Sequence, residues 1–133
     1  MKYLIDTNIC IFMIKKKPEK VINKFLLHQP GDIAISIITL SELKYGVYKS
    51  LSQAKNAIAL EQFIQPLQVL EFNEDDADMY GKISAKLELK GEPIGAMDML
   101  IAAQAKSRNL ILITDNEKEF KRVEKLKIEN WAK

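Results

Sequence analysis

Three short runs of this chain are apolar almost throughout: Tyr3-Leu4-Ile5, Ile33 to Ile38 (Ile-Ala-Ile-Ser-Ile-Ile), and Leu110 to Ile113. Runs of that length without polar alternation fit strands covered on both faces, the condition of a parallel sheet. The spans between them carry apolar residues at helical spacing. Ile9–Lys16 reads as a short helix ending before Pro18, and Glu19–Leu27 as a second, with Asn8 able to cap the first. Thr39 opens a long helix through Leu51, Leu60–Leu67 reads as another, and Val69–Phe72 as a short strand. Asn73 followed by Asp76 is a helix-start signal for a helix running to Lys90. Gly91, Pro93 and Gly95 mark a turn, Ala96–Lys106 is helical, and Leu126–Ile128 reads as a last edge strand. Strands alternating with helices imply an α/β fold, a three-layer α/β/α sandwich around a central, mostly parallel sheet.

With 133 residues and no repeat, low-complexity tract or linker, the chain reads as a single domain, residues 1–133. Hydrophobic residues at 47% and charged ones at 29% suit an ordinary globular protein. The single cysteine, Cys10, excludes an internal disulfide and a cysteine-based zinc site. No signal-peptide pattern opens the chain and no apolar run reaches membrane-spanning length, so a cytoplasmic location without membrane attachment is expected. Net charge is +2, unevenly spread: residues 71–98 hold 8 acids against 3 bases, between two basic ends. The acidic block from Glu71 to Asp78 reads as a solvated helix face.

Chemistry enters through acids that stand alone. Asp6 follows the first strand and is the only charge between Lys2 and Lys15. Acids at the carboxyl edge of a parallel sheet sit where such sheets place their ligands. Glu42 is the only charge between Asp32 and Lys44; Thr39-Leu40-Ser41-Glu42 also matches a capping box, so a purely structural role competes. Asp98 is the only charge from Pro93 to Ala105, among Met97, Met99, Leu100 and Ile101. An unpaired carboxylate in a buried helix costs several kcal/mol or takes up a proton, roughly more than a helix N-terminus returns. Asp115, beside Asn116 after the third strong strand, completes the set. Four carboxylates with one histidine and one cysteine in the whole chain suit a hard cation, Mg²⁺ or Mn²⁺, and metal-assisted phosphodiester hydrolysis.

Taken together, Leu4-Ile5-Asp6-Thr7-Asn8, Ser36 through Glu42-Leu43 with Gly46, Asp98-Met99-Leu100-Ile101-Ala102-Ala103, and Thr114-Asp115-Asn116 with Glu119-Phe120 resemble the PIN-domain ribonucleases, specifically the VapC-type toxins of toxin–antitoxin pairs. That resemblance covers essentially the whole chain and implies a PIN-like fold and a Mg²⁺-dependent endoribonuclease. It implies Asp6 and Asp98 as metal ligands and Glu42 as a ligand or water-orienting acid. The fourth position falls on Asp115, Asn116 or Glu119, because family members often place this group two residues after the strand-ending Thr. It further implies a cognate antitoxin, an RNA substrate, a homodimer within a larger complex, and operator DNA bound only through the antitoxin. Two other classes fit less well. A receiver-type signalling domain would need paired acids after the first strand and a Lys after a late one, whereas Thr7 follows Asp6 and no Lys follows Ile113. A non-catalytic nucleic-acid-binding module would call for a basic groove with interleaved aromatics, against 8% aromatic residues here.

Overall fold

The structure, a computed structural model, describes residues 1–133. Its elements run β1 (Tyr3–Ile5), α1 (Thr7–Lys15), α2 (Glu19–Leu26), β2 (Ile33–Ser36), α3 (Ile37–Lys49), α4 (Gln53–Ile64), β3 (Gln68–Leu70), α5 (Glu74–Leu89), α6 (Ala96–Ser107), β4 (Ile111–Ile113), α7 (Glu117–Phe120) and β5 (Ile128–Glu129). The five strands form one sheet in the order β3-β2-β1-β4-β5, every pairing parallel. Tyr3 pairs with both Ile33 and Ile111, so β1 lies between β2 and β4 at the sheet centre.

The apolar runs behave as buried parallel strands must. Leu4, Ala34 and Leu112 face one core with Ile83 and Leu87 of α5 and Met99, Ile101 and Ala102 of α6. Tyr3, Ile5, Ile33, Ile35 and Ile113 face the other, with residues of α1, α2, α3 and α4. Side chains alternating along each strand feed two cores at once, which gives the three layers. No helix is long and apolar enough to cross a membrane.

Three expected boundaries move, each for a local reason. The second strand ends at Ser36, because the Ser36 hydroxyl accepts from the Ile38 amide at 3.0 Å and caps α3 there. The helix therefore starts at Ile37, and the expected capping box of Thr39 with Glu42 does not form; Glu42 falls on the second turn with its side chain free for other contacts. Helix α1 is capped by Asp6, whose Oδ1 accepts from the Thr7 amide at 2.7 Å, and not by Asn8. Helix α4 begins at Gln53, well ahead of Leu60, through a polar and small-residue stretch.

The layer carrying α5 and α6 is clamped by a buried carboxylate. Asn73 and Asp76 form a capping box at the start of α5. Asp76, expected in a solvated block, is fully buried: the Ser107 hydroxyl and the Arg108 Nη2, at 3.0 Å, donate to it. Gln104 Nε2 and Arg108 Nη2 also donate to the Leu70 and Glu71 carbonyls, tying the end of α6 to the end of β3. Burial pushes the Asp76 carboxyl up, but the hydrogen bonds from Arg108, Ser107 and the Asn73 backbone outweigh it and leave the pKa below its ordinary value. Removing Arg108 leaves a buried charge without its cation. Arg108→Ala is expected to lower unfolding free energy by about 2–3 kcal/mol in urea titrations, the scale of a lost hydrogen-bonded charge. A depressed folded-state pKa gives stability that is present above the ordinary carboxylate range and lost as pH falls through the folded value. The deficit of Arg108→Ala should therefore shrink in acid.

Candidate active site

The strand order reverses at the β1–β4 seam: from β1 the chain builds outward through β2 and β3 on one side, and later through β4 and β5 on the other. The carboxyl edge of that seam is the switch point where open parallel sheets bind ligands. Asp6 and Thr114 stand there side by side, with the Asp6 amide donating to the Ile113 carbonyl at 2.9 Å. Asp6 is buried, and its carboxylate accepts from two neutral donors, the Thr7 amide at 2.7 Å and the Thr114 hydroxyl at 2.7 Å. Thr7 faces the other way as well. Its hydroxyl donates to Glu42 Oε1 at 2.8 Å, and the buried Thr39 hydroxyl lies 3.1 Å from the same oxygen of Thr7. Glu42 is thus aimed at the β1 edge by the first residue of α1.

Asp98 comes from the first turn of α6, half-buried, with Gly95 packed against it; a Cβ on Gly95 would lie 3.8 Å from Asp98 Oδ2. Burial, then the charges of Asp6, Glu119 and Glu42, and a hydrogen bond with Glu119 push its pKa up to about 6. Asp6 is raised too: burial dominates, the Thr114 and Thr7 hydrogen bonds oppose it, and the charges of Asp115 and Glu42 add to it. Asp115 is half-buried, and its Oδ1 is buried without a hydrogen-bond partner. Asn116 stands at the same edge: its amide donates to Thr114 Oγ1 at 3.0 Å, and its side-chain Nδ2 donates to Glu119 Oε2 at 3.0 Å. It positions Glu119.

The edge therefore gathers Asp6, Glu42, Asp98, Asp115 and Glu119 into one field. No three of them stand close enough to form a ready-made cage for an ion. Yet the donors are all carboxylate oxygens, one of them orphaned in the interior, and that chemistry fits a hard divalent cation. None of the six ion pairs of the chain involves any of these five acids. Sequence reasoning found four of the acids by their isolation. It held Glu119 only as a further candidate, because Glu117, Lys118 and Lys121 surround it, and it passed over Thr7 and Thr114, whose signal was only adjacency to an acid or a strand end.

An open parallel sheet with uncompensated carboxylates at its switch point defines a class of α/β domain, and comparison with known proteins gives that class its family. The sequence matches the PIN domain over residues 3–126. It is 43% identical over 132 residues to the tRNA(fMet)-specific endonuclease VapC of Shigella flexneri, covering 99% of both chains. It is also 43% identical over 134 residues to ribonuclease VapC2 of Rickettsia felis, covering all of both. Among solved structures, VapBC from Salmonella typhimurium, bound to DNA, superposes with a TM-score of 0.94 at 44% identity, covering 98% of each chain. VapBC2 from Rickettsia felis, bound to a DNA fragment from its promoter, gives 0.93 at 42%, covering 98% of this chain and 99% of that one. The chain belongs to the PIN-domain family, as one of its VapC-type members.

A raised folded-state pKa makes a sign prediction. Asp98, at about 6 when folded against 3.8 ordinarily, binds more protons folded than unfolded between those values. Its contribution to stability is complete below about 3.8 and is lost as pH rises through about 6. With divalent ions chelated, Asp98→Asn is expected to melt above the unsubstituted chain at pH 7. The gap should close near pH 4, as melting curves across that range will show.

Proposed function

We propose that this chain is a divalent-metal-dependent endoribonuclease toxin, hydrolysing RNA phosphodiester bonds at the acid edge and held in check by a cognate antitoxin. The observation that carries the reading is the gathering of five carboxylates at the sheet's switch point with no cation of the chain's own to neutralise them. VapC relatives named as ribonucleases over their full length support the RNA substrate. A bound Mg²⁺ or Mn²⁺ would supply an activated water and a counter-charge for the developing phosphorane. Asp6 and Asp98 would hold the ion, with Asp115 contributing its orphaned oxygen. Glu42, fixed by Thr7, and Glu119, fixed by Asn116, would orient water or take its proton.

For the partner, the exposed side chains of α3 and α4 are informative. Tyr45, Tyr48, Leu51 and Ile58 lie on the surface beside a groove of about 220 Å³ lined by Ile11, Ile14, Leu43, Val47 and Leu60. An amphipathic antitoxin helix suits such a surface. Association with operator DNA would then run through the antitoxin, and the toxin would sit as a homodimer within the larger complex. A cytoplasmic location goes with that assembly.

Asp98→Asn and Asp6→Asn are each expected to cut RNA cleavage at least about a hundredfold, the scale of losing one charge-stabilising group, with the fold retained by circular dichroism. Full activity in the folded Asp98→Asn protein sinks the assignment. A second measurement tests the ion itself. Melting temperature of the isolated chain should rise with added Mn²⁺ by mass action, and that response should vanish in Asp6→Asn. If an antitoxin inhibits by laying an Arg or Lys among the acids, the complex should also respond less to Mn²⁺.

A further inference from the structure

One part of the α5 side of the sheet, where the end of α5 meets α7 and the residues after it, gathers basic side chains. Two cavities of about 270 and 480 Å³ meet there, sharing Arg122 and Glu124 in their walls. The smaller has an apolar floor of Met79, Ile83, Leu87 and Val123 under a rim that includes Lys82, Lys86 and Lys106. The larger has no apolar lining and carries Lys90, Lys118 and Lys121. The walls of the two together hold six lysines and one arginine, with Glu92 and Glu124 as their acids. Glu124 is committed to Lys86 at 2.5 Å and Lys90 at 2.8 Å, whose hydrogen bonds and charges hold its carboxyl down to about 2. Lys82 and Lys121 have exposed partners, Asp78 at 3.2 Å and Glu117 at 3.9 Å, which hold them weakly. Lys106 and Lys118 make no ion pair.

This face is continuous with the acid edge. Arg122 lies one turn beyond Glu119, its amide donating to the Glu119 carbonyl at 3.0 Å. Its Nη1 donates to the Pro93 carbonyl at 3.0 Å, in the turn that leads to α6 and Asp98. A strand leaving the acids past Glu119 therefore meets Lys118 and Arg122, then the smaller cavity. Cations around an apolar floor fit a phosphate backbone with a base laid on that floor, a contact that a single strand offers and a duplex with its bases stacked inside does not.

We propose that this face is a single-stranded RNA exosite, in which Lys82, Lys106, Lys118 and Arg122 hold phosphates flanking the scissile bond. It rests on the ribonuclease reading above. The test uses the full chain carrying Asp98→Asn as parent, titrated with a labelled single-stranded RNA at several salt concentrations. Adding Lys82→Glu and Lys106→Glu is expected to weaken binding about tenfold or more and to flatten the slope of log K against log salt by about 1.4, two phosphates at about 0.7 each. Lys20→Glu with Lys24→Glu makes the same charge change on α2, in the opposite layer, and should leave the parent slope in place. Equal flattening in both pairs means diffuse attraction and overturns the exosite, as does an unmoved slope in the first pair. Tighter binding of the parent to duplex DNA than to RNA overturns it in favour of a DNA contact. Should the reversals fail to fold, Lys82→Gln with Lys106→Gln is read by the same slope. Cleavage of RNA by the unsubstituted chain with an unmoved slope sinks the exosite alone, whereas absence of both cleavage and RNA binding sinks the ribonuclease reading with it.

Discussion

Everything at the sheet edge depends on one buried carboxylate that has been given hydrogen bonds but no counter-charge. Asp6 accepts from the Thr7 amide and the Thr114 hydroxyl, so its desolvation is partly met by neutral donors. The same contacts start α1 and staple the end of β1 to the end of β4. Asp76 shows the other solution to the same problem within this chain. It is equally buried, but Arg108 reaches it, and its pKa falls where that of Asp6 rises. One acid is a fastening between helices. The other is kept in an electrostatic conflict that folding alone does not relieve.

The parallel sheet is what makes that conflict shared. Because every strand runs the same way, the residues following β1, β2 and β4 leave from one edge, and α6 delivers Asp98 to it from the layer above. The clamp of Asp76, Arg108 and Gln104 fixes the far end of α6, and the Arg122 bond to the Pro93 carbonyl holds the turn that leads into it. The two outer layers differ in kind. The α3–α4 side leaves Tyr45, Tyr48, Leu51 and Ile58 uncovered, whereas the α5 side is rimmed with lysines. An apolar surface suits a folded protein partner and a basic one a polyanion.

Most of this architecture was legible in the sequence because buried parallel strands announce themselves as uninterrupted apolar runs. Boundaries were less so: Ile37 and Ile38 are as β-prone as Ile33 and Ile35, and only the Ser36 hydroxyl decides where strand becomes helix. Isolation was a good detector for Asp6, Glu42, Asp98 and Asp115, since a lone acid in an apolar span has no local reason to be there. It failed for Glu119, hidden among charged neighbours, and misread Asp76, whose cationic partner lies 32 residues away in sequence. Long-range pairing of that kind leaves no mark on local composition.

The distribution of ion pairs carries the argument a step further. The chain has cations near the acid edge and directs them elsewhere: Arg122 to the Pro93 carbonyl and Lys121 to Glu117. Glu117, two residues from Glu119, has both Lys121 and Lys133 within reach, while Glu119 has neither. The ion pairs of the chain use four acids, Asp76, Asp78, Glu117 and Glu124, and none of the five clustered carboxylates is among them. A lysine moved into the cluster would relieve repulsion at Asp98 and stabilise the folded chain. The folded state thus carries an electrostatic cost at one edge, which any cation able to reach that edge relieves. Two cations drawn to that field would oppose one another, since occupation by one removes the repulsion that favours the other.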